Sequence, residues 1–155
     1  MNNRGGSGGS ASLTSDALRI VIGIGWLAGA AVNALVTTRM SDPYGWLQDS
    51  PVRPYRWFFD DVIGAHPTFW TVMLVIGEFT LAVLTLARGG WARLGLIGGA
   101  VFSAFLFLSG LAYTLMMGPY ALLLVWLARK EFTRSAPERI RDVAGHQIDR
   151  SRPPV

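Results

Sequence analysis

The sequence predicts an all-α integral membrane protein: a four-helix bundle with an interfacial or re-entrant segment between helices one and two. Three observations predict it. Hydrophobic residues make up 51% of the 155-residue chain and charged residues 15%, where a soluble domain carries about a quarter charged. The apolar residues fall in long runs, which a soluble fold would break with polar positions every few residues. One of these runs, Pro67 to Ala87, carries a single formal charge, Glu78, near its middle, over a length that spans a hydrocarbon core.

The first twelve residues, MNNRGGSGGSAS, are Gly/Ser/Asn-rich and are expected to be disordered. The expected organisation is a disordered cytoplasmic amino terminus over 1–16, a membrane domain over 17–130 and a basic cytoplasmic tail over 131–155. The first apolar run, Ala17 to Thr38, follows Thr14, Ser15 and Asp16, which suit a helix N-cap. It is longer than the apolar core of a signal peptide, so it reads as a retained helix. Pro67 suits the first turn of the second helix, and Arg88-Gly89-Gly90 ends it. The third run, Trp91 to Ala128, is 38 residues with one charge, Arg93. As one helix it would measure about 57 Å, nearly twice the hydrocarbon thickness, so it must fold back. A turn near 109–113 divides it evenly, with Pro119 kinking the last helix or starting its regular part.

Charge supports the fold-back. With four spans, eleven of the fourteen basic residues lie at one side, and only Arg39, Arg53 and Arg56 at the other. The positive-inside rule then places both termini in the cytoplasm. The net charge of +4 thus reads as a topology signal rather than a nucleic-acid one. The 39–66 connection carries Tyr44, Trp46, Tyr55, Trp57, Phe58 and Phe59, residue types that favour the membrane interface. Within it, 58, 59, 62 and 63 share a helical face beside Asp60 and Asp61, which reads as a short interfacial helix. In the tail, Ile140, Val143, Ala144 and Ile148 repeat at helical spacing, consistent with an amphipathic helix over about 136–149.

Candidate sites are few. A carboxylate at mid-bilayer costs roughly 2.5–3.5 kcal/mol on insertion scales, so Glu78 is expected to face inward and to serve as a proton relay, a ligand anchor or a polar tie. Asn33 and Tyr113 could share its site. Gly25 and Gly29 in helix one, and Gly95, Gly99 and Ser103 in helix three, form small-residue stripes suited to helix packing or homo-oligomer contact. Arg19, at the cytoplasmic end of helix one, is expected to snorkel to lipid phosphates. The absence of cysteine excludes disulfides, thiolate metal sites and covalent haem attachment. His66 and His146 fall on opposite sides of the predicted membrane, and no metal site is expected.

The order of these features resembles the DoxX family of small four-helix membrane proteins, which includes the membrane subunit of thiosulfate:quinone oxidoreductase. The resemblance covers about residues 17–130. It rests on Arg19-Ile-Val-Ile-Gly23-Ile-Gly25, the aromatic outer connection, Gly77-Glu78, Ala87-Arg88-Gly89-Gly90-Trp91-Ala92-Arg93-Leu94 and Gly118-Pro119-Tyr120. It implies a glutamate at the position of Glu78 and a link to sulfur or quinone redox chemistry. No covalently bound cofactor is implied; a bound quinone is compatible with it if the chain takes part in electron transfer. Without cysteine, the redox group must be that quinone or belong to a partner. Three roles follow: a membrane subunit presenting a quinone, a scaffold recruiting a soluble redox enzyme through the basic tail, or a small-molecule or proton transporter. Whether the chain is itself an enzyme stays open.

Overall fold

The computed structural model describes residues 13–40, 50–109 and 111–141, and of 109 and 111–114 the backbone alone. Every regular element among them is helical. Helix α1 is Leu13–Leu35, closed by a 3-10 turn, Thr37–Arg39. Helix α2, Arg53–Trp57, runs into a π-helical turn, Phe58–Ile63. Helices α3 (Pro67–Leu86), α4 (Gly90–Leu106) and α5 (Leu111–Ala128) follow, with a 3-10 turn at Phe107–Ser109. A last helical stretch begins at 136 and reaches the end of the described residues at 141.

The four long helices go round in order. Helix α1 packs along α3, α3 along α4 and α4 along α5. On α3 the buried residues are Thr71, Glu78, Ala82 and Thr85, a single narrow stripe at helical spacing. The opposite faces carry large apolar side chains in the open, among them Val32, Ile76, Phe79, Val101, Leu115 and Leu122. The interior meanwhile holds Arg19, Thr71, Glu78, Thr85 and Ser103. Leu13–Arg39 and Pro67–Leu86 are each long and apolar enough to cross a membrane. Helices α4 and α5 are shorter and apolar.

The main core joins Ile22 and Trp26 of α1 to Ala82 of α3, Ala92, Leu96 and Ala100 of α4, and Leu124 and Leu127 of α5. A second cluster seats the connection between α1 and α3. Tyr55, Phe59 and Ile63 are buried against Trp70, Leu74 and Leu106, with Phe105 tilted against Tyr55 at 5.0 Å. Asp60 and Asp61 stay exposed, as the helical face predicts. Trp70 donates its indole N–H to the Val62 carbonyl at 3.1 Å. Ser50 donates to the Leu108 carbonyl at 2.6 Å, an acceptor left over where α4 ends. The connection is therefore fastened to the corner between α4 and α5.

Several expectations need correction. Helix α1 begins at Leu13, four residues before the expected Ala17, so Ser15 and Asp16 lie inside the helix rather than capping it. The reason is tertiary: the Asp16 carboxylate faces two arginines, Arg19 and Arg139. The long run breaks at the 3-10 turn Phe107–Ser109, two residues ahead of the start of the expected 109–113 turn and overlapping it at 109. Pro119 lies inside α5, at an exposed position, and does not start a separate helix. Ile140 is exposed. Tyr44, Trp46, the 1–12 leader and residues 142–149 lie outside the described residues.

The small-residue stripes divide. A Cβ on Gly95 would stand 2.5 Å from the Thr85 backbone nitrogen, and one on Gly99 would stand 3.1 Å from the Trp26 ring. Ser103 is buried and donates to the Gly99 carbonyl at 2.8 Å. This stripe is a close helix contact. On α1 the contact glycine is Gly23, against Leu86. A Cβ on Gly25 would meet nothing within 4 Å, so Gly25 makes no such close contact within the chain, unlike the packing role expected of it. Leu106 joins the second core cluster; it is not a free outward leucine.

Gly95→Leu and Gly99→Leu should therefore destabilise the bundle far more than Val101→Ala. The first two drive a side chain into a neighbouring backbone or ring, and overpacking of this kind costs roughly 1–3 kcal/mol or more. Val101 points outward at 66% exposure. Unfolding in mild detergent reads the difference, and equal stability of the three variants would remove the close contact.

Candidate functional site

Glu78 sits halfway along α3 and is 8% exposed. Asn33 of α1 donates its amide N–H to Glu78 Oε2 at 2.8 Å. Thr37, one turn further along, donates its hydroxyl to Asn33 Oδ1 at 2.8 Å. The three residues form a directed chain from the C-terminal end of α1 to the bundle centre. Spacing explains it: 33 and 37 share a helical face, and Gly29, one turn inward, leaves room for the carboxyl. A Cβ on Gly29 would stand 3.1 Å from Glu78 Oε1. One carboxyl oxygen is thus held by Asn33 and the other lies over a glycine.

That second oxygen borders a half-open cleft of about 310 Å³, lined by Gly25, Trp26, Gly29, Glu78, Phe102, Ser103, Leu106, Met117 and Tyr120. Its walls are mostly apolar. Trp26 stands edge-on to Phe102 at 5.7 Å and tilted to Tyr120 at 6.3 Å. The Trp26 indole N–H is buried and donates to no protein group. Buried donors without partners are rare in native folds. The cleft offers the Glu78 carboxyl and the Tyr120 hydroxyl among apolar walls. No group of three residues able to hold a metal ion occurs among the described residues.

A second polar constellation closes the opposite end of the bundle. Arg19 has no exposed surface. Its guanidinium donates to the carbonyls of Ala87, Thr85 (3.5 Å) and Arg134 (3.1 Å). It pairs with Asp16 at 3.4 Å and lies over the Phe132 ring at 4.5 Å. Asp16 also meets Arg139 at 3.1 Å. The backbone adds a bond from Gly89 N–H to the Phe132 carbonyl at 2.7 Å. One side chain thereby joins the start of α1, the turn between α3 and α4, and the tail. The tail then starts its helix with Ser135-x-x-Glu138, whose carboxylate accepts the Ser135 N–H at 2.7 Å, half of a capping box. That bond, helped by Arg88 and Arg134, holds the Glu138 carboxyl below its usual range.

The structure thus brings Glu78 and Asn33 together as expected. The Tyr113 side chain lies outside what is described. Arg19 departs from expectation: it is buried in protein rather than snorkelled to lipid, because the leftover carbonyls at the end of α3 and the returning tail surround it. Thr37, Trp26 and Tyr120 were missed. Thr37 had a signal, since it stands one turn from Asn33. Trp26 had none, because an indole in an apolar run reads as core. Compared with known proteins, the chain matches no family model, no curated sequence and no solved structure.

Arg19→Lys should loosen the bundle and the tail together. A lysine keeps the charge but not the planar fork that reaches several acceptors at once. Arg19→Met removes the charge, strands the carbonyls and should cost about 3–5 kcal/mol, the usual penalty for breaking a buried ionic contact. Amide hydrogen exchange should show residues 131–141 losing protection in both variants. Unchanged protection there would mean that the tail is held by something else.

Proposed function

We propose that the chain is a multi-pass integral membrane protein, a DoxX-like four-helix bundle with both termini cytoplasmic, that presents a quinone to a redox partner. The observation that carries the reading is Glu78. It is a carboxyl at mid-bundle with one oxygen fixed by Asn33 and the other bordering a cleft. The membrane part is supported by the inverted surface, apolar outside and polar inside, which a water-facing bundle would pay heavily for. Helices α4 and α5, at 17 and 18 residues, reach the lower limit of a span. Arg88, Arg93, Arg129 and Lys130 share the end closed by Arg19, while Asp60 and Asp61 dilute the arginines of the other.

The residues present suit a quinone head. The Tyr120 hydroxyl would donate to one carbonyl. Glu78 Oε1 would donate to the other or accept from a quinol hydroxyl, according to its own proton. Phe102 and Leu106 would flank the ring. A bound quinone would supply two-electron, two-proton redox capacity; the chain's own residues bind it, orient it and exclude water.

A second reading is a scaffold that recruits a soluble redox enzyme. It is favoured by the docked tail, whose outer side carries exposed Arg129, Arg134 and Arg141. Native mass spectrometry from nanodiscs separates the two. The quinone reading expects one quinone retained per chain. It expects Tyr120→Phe to weaken retention about tenfold, the loss of one hydrogen bond. A retained soluble protein with no quinone would favour the scaffold. A homo-oligomer would show in the same spectrum.

The topology is tested with an impermeant thiol reagent, for which the chain offers no native cysteine. Asp61→Cys should label from outside intact cells and Glu131→Cys only after permeabilisation. Both positions are exposed. Labelling of Glu131→Cys in intact cells would sink the orientation.

A further inference from the structure

The cleft has a direction. Going round the bundle, α1 meets α3, α3 meets α4 and α4 meets α5. The remaining pair, α1 and α5, lacks such backbone contact and is bridged by side chains. Near the end closed by Arg19 the bridge is tight, with Ile22, Leu124 and Leu127 in one core. At Trp26 and Tyr120 it thins to a tilted ring contact at 6.3 Å. Beyond that level α1 presents Gly25 and Gly29, which offer no side chain to the gap. Gly25 is exposed, and a Cβ there would meet nothing within 4 Å. On the other bank Met117 and Tyr120 are only half-buried.

The other polar approach to Glu78 is already occupied. Asn33 and Thr37 spend their hydrogen bonds between the carboxyl and the C-terminal end of α1, and the Ser103 hydroxyl is spent on Gly99. What is left lining the gap is the Glu78 carboxyl, the Tyr120 hydroxyl and an apolar wall.

We propose that the cleft opens sideways between α1 and α5, with Gly25 as its doorway, and takes its ligand from the lipid phase: a molecule with an apolar chain and a head that accepts one hydrogen bond and exchanges another with a carboxyl. This rests on the membrane reading above and adds the route of entry and the residue that controls it. Entry from lipid fits the chemistry. An apolar chain stays in hydrocarbon throughout, and only the head exchanges solvent for Tyr120 and Glu78. A larger residue at Gly25 would stand in the doorway without touching the fold.

The test uses the full chain in phosphatidylcholine nanodiscs that contain a phosphatidylcholine with a mid-chain diazirine. After irradiation, adducts are mapped by mass spectrometry. Outward Ile97 and Val101 should be labelled in every variant. Adducts on Trp26 and Glu78, which are 9% and 8% exposed, are expected in the wild type and should fall severalfold in Gly25→Val. Labelling of Ile97 and Val101 without Trp26 or Glu78 would overturn the sideways opening. So would undiminished cleft adducts in a folded Gly25→Val protein. If that variant does not fold, the wild-type map decides alone. Excess decylubiquinone separates this proposal from the quinone reading. Protection of Trp26 and Glu78 supports both, whereas cleft adducts that decylubiquinone leaves unchanged keep the sideways opening and count against the quinone.

Discussion

A polar group enclosed by an apolar bundle has no water to fall back on, so it must be answered by protein, and the structure is arranged around that constraint. Arg19 shows it most plainly. A guanidinium has five donors in a fixed fork. Here they meet the carbonyls at the end of α3, a tail carbonyl and the Asp16 carboxylate, with the Phe132 ring over its face. The carbonyls that α3 leaves unpaired at its end are a need of the same kind. Each side answers the other, which is why the α3–α4 turn and the tail converge on the first turns of α1.

The middle of the bundle follows the same rule less completely. Asn33 answers one oxygen of Glu78, and Thr37 answers Asn33. The Trp26 N–H stays without a protein partner, and Glu78 and Tyr120 line the cleft. Glycine decides which contacts close and which stay open. Gly23, Gly95 and Gly99 let neighbours approach until no Cβ would fit. Gly25 is equally small but has no neighbour, because Trp26 and Tyr120 prop α1 from α5. The same residue type, at similar spacing, seals α3 to α4 and leaves a gap between α1 and α5.

The sequence carried the long helices, the break in the third apolar run, the seated aromatic connection and the partnership of Asn33 with Glu78. These are features of periodicity, length and polarity, and each leaves a mark on nearby residues. Three things were not legible. The burial of Arg19 depends on a tail residue 115 positions away, so local pattern read it as an end-of-helix cation. The place of Asp16 within α1 goes with its pairing to Arg139, another distant residue. The open side of Gly25 depends on what does not pack there, and a GxxxG spacing looks the same whether or not a partner helix arrives. Sequence spacing finds faces; only the tertiary arrangement says which faces meet.

The account rests on Glu78 being tied to Asn33 by a bond that holds α1 to α3 inside the bundle. A double-mutant cycle measures that bond directly, with Asn33→Ala, Glu78→Ala and the combined variant unfolded from bicelles. Polar contacts between membrane helices couple by about 0.6 kcal/mol on average and up to about 1.7, and the 2.8 Å geometry places this pair toward the upper part, at about 1 kcal/mol. A coupling of that size, with the double variant less destabilised than the sum of the singles, is the predicted result. Additive losses, within the roughly 0.3–0.5 kcal/mol expected of independent sites, would contradict it.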